Sequence, residues 1–199
     1  VPRPISPEQA TRSRDAGWWP DVTLPGLLRR WAERAPQAPA LIAADRTLTF
    51  EDLDRESDRV AAGLARLGVG RGNVVSCQLA NVPELVILLL AVAKRRAIFG
   101  PIHLPYRAAE VEGILAFAES KVMVVGPPYG GFDFADMVEG LRPRLPALRH
   151  LVTLGAPPRD ASVPFDELAR TPPLARAEPP DPDDPFLLLF TSGTTASPR

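Results

Sequence analysis

The residue types best suited to binding an anion lie together at positions 191–199. They are the hydroxyl-bearing Thr191, Ser192, Thr194 and Thr195, with Gly193 among them and Arg199 after them. Hydroxyl groups and the backbone N–H groups around a glycine donate hydrogen bonds, and a guanidinium pairs well with phosphate oxygens. The stretch therefore predicts a site for a multiply charged anion, above all a phosphate chain.

The same composition also fits an ordinary surface loop, because Ser, Thr and Gly are common loop residues. The spacing excludes a Walker A loop, which needs a second glycine followed by Lys and Ser or Thr. The binding interpretation is favoured by the preceding segment, since residues 186–190 form an unbroken apolar run. Such a run predicts a strand buried on both faces of a parallel sheet, and open α/β sheets bind ligands at the carboxyl ends of such strands.

Helices and strands are predicted to alternate through the rest of the chain. Thr23 is a predicted N-cap of the first helix, Thr49 and Asp52 form a weak capping box for the second, and Gly68 ends that second helix. Further helices are predicted at 83–95, 109–120, 134–145 and 165–169, and strands at 40–43, 48–50, 74–79, 97–102, 121–125 and 149–154. This order predicts an α/β fold, a mainly parallel sheet with helices on both faces.

The remaining segments suggest surface structure and two lone reactive side chains. Residues 1–22 are rich in Pro and Arg without helical periodicity, which predicts a surface arm that Trp18 and Trp19 pack onto the body. His103 follows a predicted strand and could line a site, although a hydrogen bond from its ring to the backbone is the simpler hypothesis. Cys77 is expected to be a small buried residue of a strand.

Composition limits the classes of function. The chain has 199 residues with a formal net charge of −1, which gives no reason to expect a nucleic-acid or membrane-surface partner. The longest apolar run, residues 85–93, is too short for a membrane span, which takes about 20 residues. A single cysteine allows no intramolecular disulfide, which is typical of a reducing compartment, so we expect a cytoplasmic protein.

Residues 190–199, Phe-Thr-Ser-Gly-Thr-Thr-Ala-Ser-Pro-Arg, resemble the ATP-phosphate loop of the adenylate-forming (AMP-binding) enzymes. That loop usually reads Tyr or Phe, then Thr-Ser-Gly-Thr-Thr-Gly-x-Pro-Lys-Gly. The resemblance extends over nearly the whole chain, through segments 48–53, 79–84, 91–97 and 117–125, and is greatest to the acyl-CoA synthetase branch. The chain departs from the family pattern at Ala196 and Arg96, where glycine is usual, and at Arg199, where lysine is usual.

The resemblance implies a two-step ligase in which a carboxylate attacks ATP, pyrophosphate leaves, and a thiol attacks the acyl-adenylate. Thr191, Ser192, Gly193, Thr194 and Thr195 would hold the phosphates, and Arg199 would be the catalytic cation. ATP, Mg2+ and coenzyme A are the implied cofactors, while the residues that would bind the metal are unknown. Residues 23–199 would be the amino-terminal α/β subdomain of an AMP-binding domain truncated after the phosphate loop, and this piece alone is expected to be inactive.

The first hypothesis is therefore an AMP-forming acid–CoA ligase for a small or medium-chain, alicyclic or aryl carboxylic acid. An adenylation enzyme that loads a carrier protein is the second, and a catalytically degenerate nucleotide-binding relative is the third. The expected partners are the acid and coenzyme A, with a carrier protein as the alternative acceptor. A homodimer is compatible with the sequence, which does not itself set the oligomeric state.

Overall fold

The computed structural model describes residues 6–155, 162–174 and 178–190. The helices and strands in these ranges are, in chain order, α1 (Pro7–Asp15), α2 (Leu24–Arg34), β1 (Pro39–Ile42), β2 (Thr47–Thr49), α3 (Phe50–Arg66), β3 (Val74–Gln78), α4 (Pro83–Lys94), β4 (Ile98–Pro101), α5 (Ala108–Phe117), β5 (Val122–Val125), α6 (Phe134–Leu141), β6 (His150–Thr153), β7 (Ser162–Pro164) and α7 (Phe165–Ala169). A short 3-10 turn, Arg142–Arg144, follows α6.

The main sheet has five parallel strands in the order β4-β3-β5-β6-β7. Chain order and spatial order differ because β4 lies on one side of β3 while β5 lies on the other. All carboxyl ends consequently meet at one edge, and a ligand-binding crevice is expected near the point where the strand order reverses. β1 and β2, which correspond to the strands predicted at 40–43 and 48–50, form a separate antiparallel pair.

Helices cover both faces of this sheet, which confirms the predicted fold class. In β5, Val122 and Val124 belong to one buried cluster while Met123 and Val125 belong to the other. The first cluster is completed by α2, α3, α4 and α7, and the second by α5 and α6. Successive strand residues point to opposite faces, so an apolar run such as β5 requires a helical layer on each side.

Local signals fixed several helix starts as predicted. The Thr23 hydroxyl accepts a hydrogen bond from the Gly26 N–H at 3.1 Å and caps α2. At the start of α3, the Thr49 hydroxyl accepts from the Asp52 N–H at 3.1 Å, and the Asp52 carboxylate accepts from the Thr49 N–H at 3.2 Å. Each of these bonds gives an acceptor to a backbone N–H group at the start of a helix, where intrahelical acceptors are missing.

The structure corrects the prediction at the amino-terminal arm and at the last strand of the sheet. Part of the predicted arm forms the helix α1, which buries none of its residues, and Trp18 is 83% exposed, so Trp18 does not pack onto the body. Strand β7 was not predicted, because its three residues are too few to show a period of two. None of the helices within the described ranges is long and apolar enough to cross a membrane.

Candidate active site

The predicted phosphate-binding residues, Thr191, Ser192, Gly193, Thr194 and Thr195, lie outside the described residues, as do Ala196 and Arg199. The structure does describe the segment that leads to them. The Phe99 N–H of β4 donates to the Phe186 carbonyl at 2.8 Å, and the Leu188 N–H donates to the Phe99 carbonyl at 2.9 Å. Leu187 thus pairs with Phe99 in a parallel bridge at the β4 edge, and the chain advances toward the carboxyl edge of the sheet.

The prediction that residues 186–190 are buried on both faces is wrong for the described residues. Phe186, Leu187 and Leu189 are 43%, 42% and 63% exposed, and the pairing is a single bridge rather than a full strand. Leu188 and Phe190 are partly buried, and the Phe190 ring lies 5.8 Å from that of Phe117 and packs against the cluster that contains α5 and α6. The segment is therefore anchored at its carboxyl end by an aromatic contact.

A cleft of about 520 Å3 opens at the carboxyl ends of β3 and β4, beside this segment. Its walls are the loop after β3, the loop after β4, Tyr129 from the loop after β5, and Leu189 and Phe190. The parallel topology thus delivers the residue before Thr191 to the rim of a concave site at the sheet edge where α/β folds bind ligands.

The loop after β4 is held in place by Gln78, the last residue of β3. The Gln78 side chain is fully buried, and its Nε2 donates to the carbonyls of His103, Leu104 and Tyr106 at 2.8, 3.4 and 3.0 Å. The three acceptors fix the amide orientation, because a flipped amide would place its oxygen against carbonyl oxygens. The sequence analysis missed this residue, although a Gln that ends a run of apolar and small residues is itself a signal of a buried polar role.

Arg107 holds the same loop from the solvent side. Its Nη1 donates to the Leu104 carbonyl at 2.7 Å and to the Tyr106 carbonyl at 3.0 Å. The guanidinium also lies 4.2 Å from the centroid of the Phe132 ring, a distance suited to a cation–π contact. The cleft wall is therefore shaped by two independent donors that share two carbonyl groups.

The reactive side chains of the cleft do not form a nucleophilic pair. Burial raises the pKa of Cys77 to about 12, so its thiol stays protonated at neutral pH and is a poor nucleophile. His103 lines the cleft, and its ring makes an edge contact with Tyr106 at 5.5 Å. Among the described residues its ring does not make the backbone hydrogen bond that was the simpler hypothesis. The described ranges also contain no group of three or more His, Cys, Asp or Glu side chains that could hold a metal ion.

Comparison with known proteins gives this geometry a family. The family described as AMP-binding enzyme matches residues 28–199. Salicyl-AMP ligase / salicyl-S-ArCP synthetase of Mycobacterium tuberculosis is 35% identical over 207 residues, which cover 98% of this chain and 35% of that protein. The apo structure of Mycobacterium smegmatis MbtA superposes with a TM-score of 0.88 at 32% identity, over 98% of this chain and 36% of that one.

A third similar protein, the anthranilate CoA ligase AuaEII in complex with anthranoyl-AMP, superposes with a TM-score of 0.81 at 27% identity, over 89% of this chain and 34% of that one. The chain thus spans about a third of the length of the relatives it matches. The family match takes in the sheet, the cleft loops and the predicted phosphate loop together. The chain belongs to the AMP-binding enzyme family of adenylate-forming ligases.

Proposed function

We propose that the full-length protein is an ATP-dependent, AMP-forming ligase that activates a small aryl carboxylic acid as its acyl-adenylate and passes the acyl group to a thiol. The observation that carries the proposal is the parallel bridge between Leu187 and Phe99, which directs the chain to the cleft rim immediately before the hydroxyl-rich residues 191–199. A donor-rich segment that starts there is suited to hold a phosphate chain against the cleft.

The chemistry needs charge stabilisation more than a protein nucleophile. The acid carboxylate attacks the α-phosphorus of ATP, pyrophosphate leaves, and the thiol then displaces AMP from the acyl carbon. The hydroxyls and amides of residues 191–195 would hold the β- and γ-phosphates, and Arg199 would stabilise the charge that develops on the departing pyrophosphate. Mg2+ would neutralise further phosphate charge, and no ligands for it are identified among the described residues.

The similarity to a salicyl-AMP ligase and to an anthranilate CoA ligase supports an aryl acid as the substrate. The acceptor is less constrained, because the name of the first relative includes transfer to ArCP, a carrier protein, and that of the second includes CoA. We take the carrier protein as the first acceptor to test, since the relative named for it shares 35% identity over nearly the whole chain. Coenzyme A is the second candidate, supported by the fold similarity to AuaEII.

ATP–pyrophosphate exchange with the full-length protein tests the adenylation step. We expect exchange with salicylate, anthranilate or 2,3-dihydroxybenzoate to exceed that with acetate or octanoate. Radiolabelled acid that transfers to a phosphopantetheinyl carrier protein but not to coenzyme A would establish the first acceptor, and the reverse result would establish the second. Nucleotide binding without exchange for any acid would instead indicate a degenerate relative.

Replacement of Arg199 tests the role of the cation. We expect Arg199→Ala to lower the adenylation rate by about 100-fold or more, the effect of removing one preorganised donor, while the KM for the acid stays nearly constant. Arg170→Ala is the matched control, because Arg170 is an exposed arginine whose only described ion pair is a surface contact with Asp166 at 3.8 Å. An unchanged rate in Arg199→Ala would remove this residue from the mechanism.

The 199-residue chain is a further test of the proposal. Because it spans about a third of the length of its relatives, we expect it to show no exchange under conditions in which the full-length protein is active. Exchange by the 199-residue chain would mean that residues 1–199 contain a complete adenylation site.

A further inference from the structure

Arg96 has an unusual backbone conformation at the end of α4. Its φ is 56°, in the left-handed region that favours glycine. The conformation belongs to a Schellman cap, because the Arg96 N–H donates to the Ala93 carbonyl at 3.0 Å and the Ala97 N–H donates to the Val92 carbonyl at 3.1 Å. The backbone conformation therefore favours glycine at this position, and the contacts of the Arg96 side chain must compensate for the strain.

The Arg96 side chain is 9% exposed and forms the most buried ion pair of the described residues with Asp184, which is 6% exposed. Two bonds join them, from Arg96 Nε to Asp184 Oδ2 at 2.5 Å and from Arg96 Nη2 to Asp184 Oδ1 at 3.3 Å. The guanidinium also contacts Glu178, and it reaches Asp181 at 3.4 Å. A planar donor that binds one carboxylate through two nitrogens fixes both distance and orientation.

This pair lies next to the segment that leads to the predicted phosphate loop. Asp184 comes two residues before Phe186, whose carbonyl accepts from the Phe99 N–H at 2.8 Å, and four residues before Leu188. The bridge to β4 is a single pair, and although Phe99 is buried, Phe186 and Leu187 are 43% and 42% exposed. The ion pair is therefore a further attachment, besides the two backbone hydrogen bonds to Phe99, that holds the start of this segment beside β4.

We propose that Arg96 is a positioning residue for nucleotide binding: its ion pair with Asp184 fixes residues 186–188 against β4 and so sets the point from which the chain enters residues 191–199. The inference rests on the proposed function, because it assigns the nucleotide phosphates to residues 191–199. Arg96 touches no substrate in this scheme and acts through the segment that it anchors.

Four variants of the full-length protein test the inference. Arg96→Gly removes the side chain and gives the backbone its preferred residue, whereas Asp184→Asn keeps the size of the partner but removes its charge and one of its two acceptor oxygens. We expect both to raise the KM for ATP in pyrophosphate exchange by about tenfold, with the KM for the acid changed less than twofold, because the cleft loops are left intact. Arg96→Lys should recover part of the loss, since an ammonium can pair with Asp184 but cannot reproduce the fork. Arg71→Ala removes an exposed second partner of the same carboxylate and should change either KM less than twofold.

Glu119→Gly controls for the backbone. Glu119 has a φ of 48° in the corresponding cap of α5, with its N–H donating to the Ala116 carbonyl at 3.2 Å, and its exposed side chain makes no ion pair with any described residue. Glycine there relieves the same backbone strain without loss of a side-chain contact. We expect Glu119→Gly to leave the KM for ATP unchanged.

Hydrogen–deuterium exchange gives a readout that does not depend on activity. The Leu188 N–H donates to β4, so a peptide that contains it should exchange about tenfold faster in Arg96→Gly and Asp184→Asn than in the wild type. Unchanged exchange at Leu188 in both variants would overturn the anchoring step. Faster exchange with an unchanged KM for ATP, in an active wild type, would overturn the link to nucleotide binding. If none of the tested acids supports ATP–pyrophosphate exchange in the wild type, the proposed function is overturned instead. The anchoring step is then tested by the hydrogen–deuterium exchange at Leu188 alone.

Discussion

The cleft loop after β4 should respond to the loss of both of its donors far more than to the loss of either one. Gln78→Leu removes the buried amide, but the His103 carbonyl keeps the Tyr106 N–H at 3.1 Å, and the Leu104 and Tyr106 carbonyls keep Arg107. Arg107→Ala removes the outer donor and leaves the Gln78 amide. Each single variant therefore leaves every one of these carbonyls with a protein donor, and only the double variant leaves two of them with none among the described residues.

The magnitude follows from the net value of these bonds. Each single variant should destabilise the loop by about 1 kcal/mol, the usual net contribution of an intramolecular hydrogen bond. A carbonyl left without a donor costs about 1–3 kcal/mol when water is excluded, and the Leu104 and Tyr106 residues are half-buried, so water offsets part of that penalty. We therefore expect a coupling free energy of about 1 kcal/mol between the two substitutions, in addition to the sum of the single effects.

Hydrogen–deuterium exchange of a peptide that spans residues 102–107 is the appropriate assay, because it reports local opening without requiring two-state unfolding. The coupling corresponds to about a fivefold excess in exchange rate for the double variant. Gln37→Leu is the matched control, since that amide donates to Glu51 at an exposed site and should leave the peptide unaffected. If the effects of the two substitutions add to within about 0.3 kcal/mol, Gln78 and Arg107 do not stabilise the loop cooperatively through the shared carbonyl groups.

Two further predictions concern stability. Gly63→Ala should destabilise the protein by about 1–3 kcal/mol in thermal unfolding, because a Cβ there would lie 2.6 Å from the α7 backbone. Gly113→Ala, in the open middle of α5, should be neutral or stabilise the protein by up to about 1 kcal/mol. Equal effects of the two substitutions would contradict the packing of α3 on α7. Burial, together with nearby cations, lowers the pKa of His150 in the folded state. As the pH falls past about 6.5, the unfolded chain therefore takes up a proton before the folded one, and the folded state loses stability. The thermal unfolding midpoint of His150→Gln should consequently fall less between pH 7 and pH 5 than that of the wild type.

The sequence predicted those features that depend on neighbours in the chain. The capping box at Thr49 and the alternation of apolar strands with amphipathic helices are local patterns, and both were confirmed. The prediction that residues 186–190 are buried was wrong, because an apolar run indicates only that a segment favours burial. The elements that pack around the segment in space determine how much of it is covered. Gln78 was missed for the same reason, since its three acceptors lie 25, 26 and 28 residues away in a loop that only the strand order brings near.

Three helix ends show how a local rule and a long-range contact can differ. Gly68, Arg96 and Glu119 occupy equivalent positions after α3, α4 and α5, all with φ between 48° and 73°. Only the first was predictable from residue type, since a left-handed conformation costs a non-glycine residue about 1–2 kcal/mol. At Glu119 the described contacts offer no compensation, whereas Arg96 reaches Asp184, 88 residues away.

The charge state of that pair fits a permanent anchor rather than a switch. The hydrogen bond from Arg96 is the main cause that holds the pKa of Asp184 below its ordinary value. A carboxylate with a depressed pKa contributes stability that is fully present above its unfolded pKa of about 3.9 and is lost only as the pH falls through the lower, folded value. The pair therefore stays ionised at every pH at which ATP chemistry would be assayed, and the pairing itself gives no reason for the effect of an Arg96 substitution to vary with pH there.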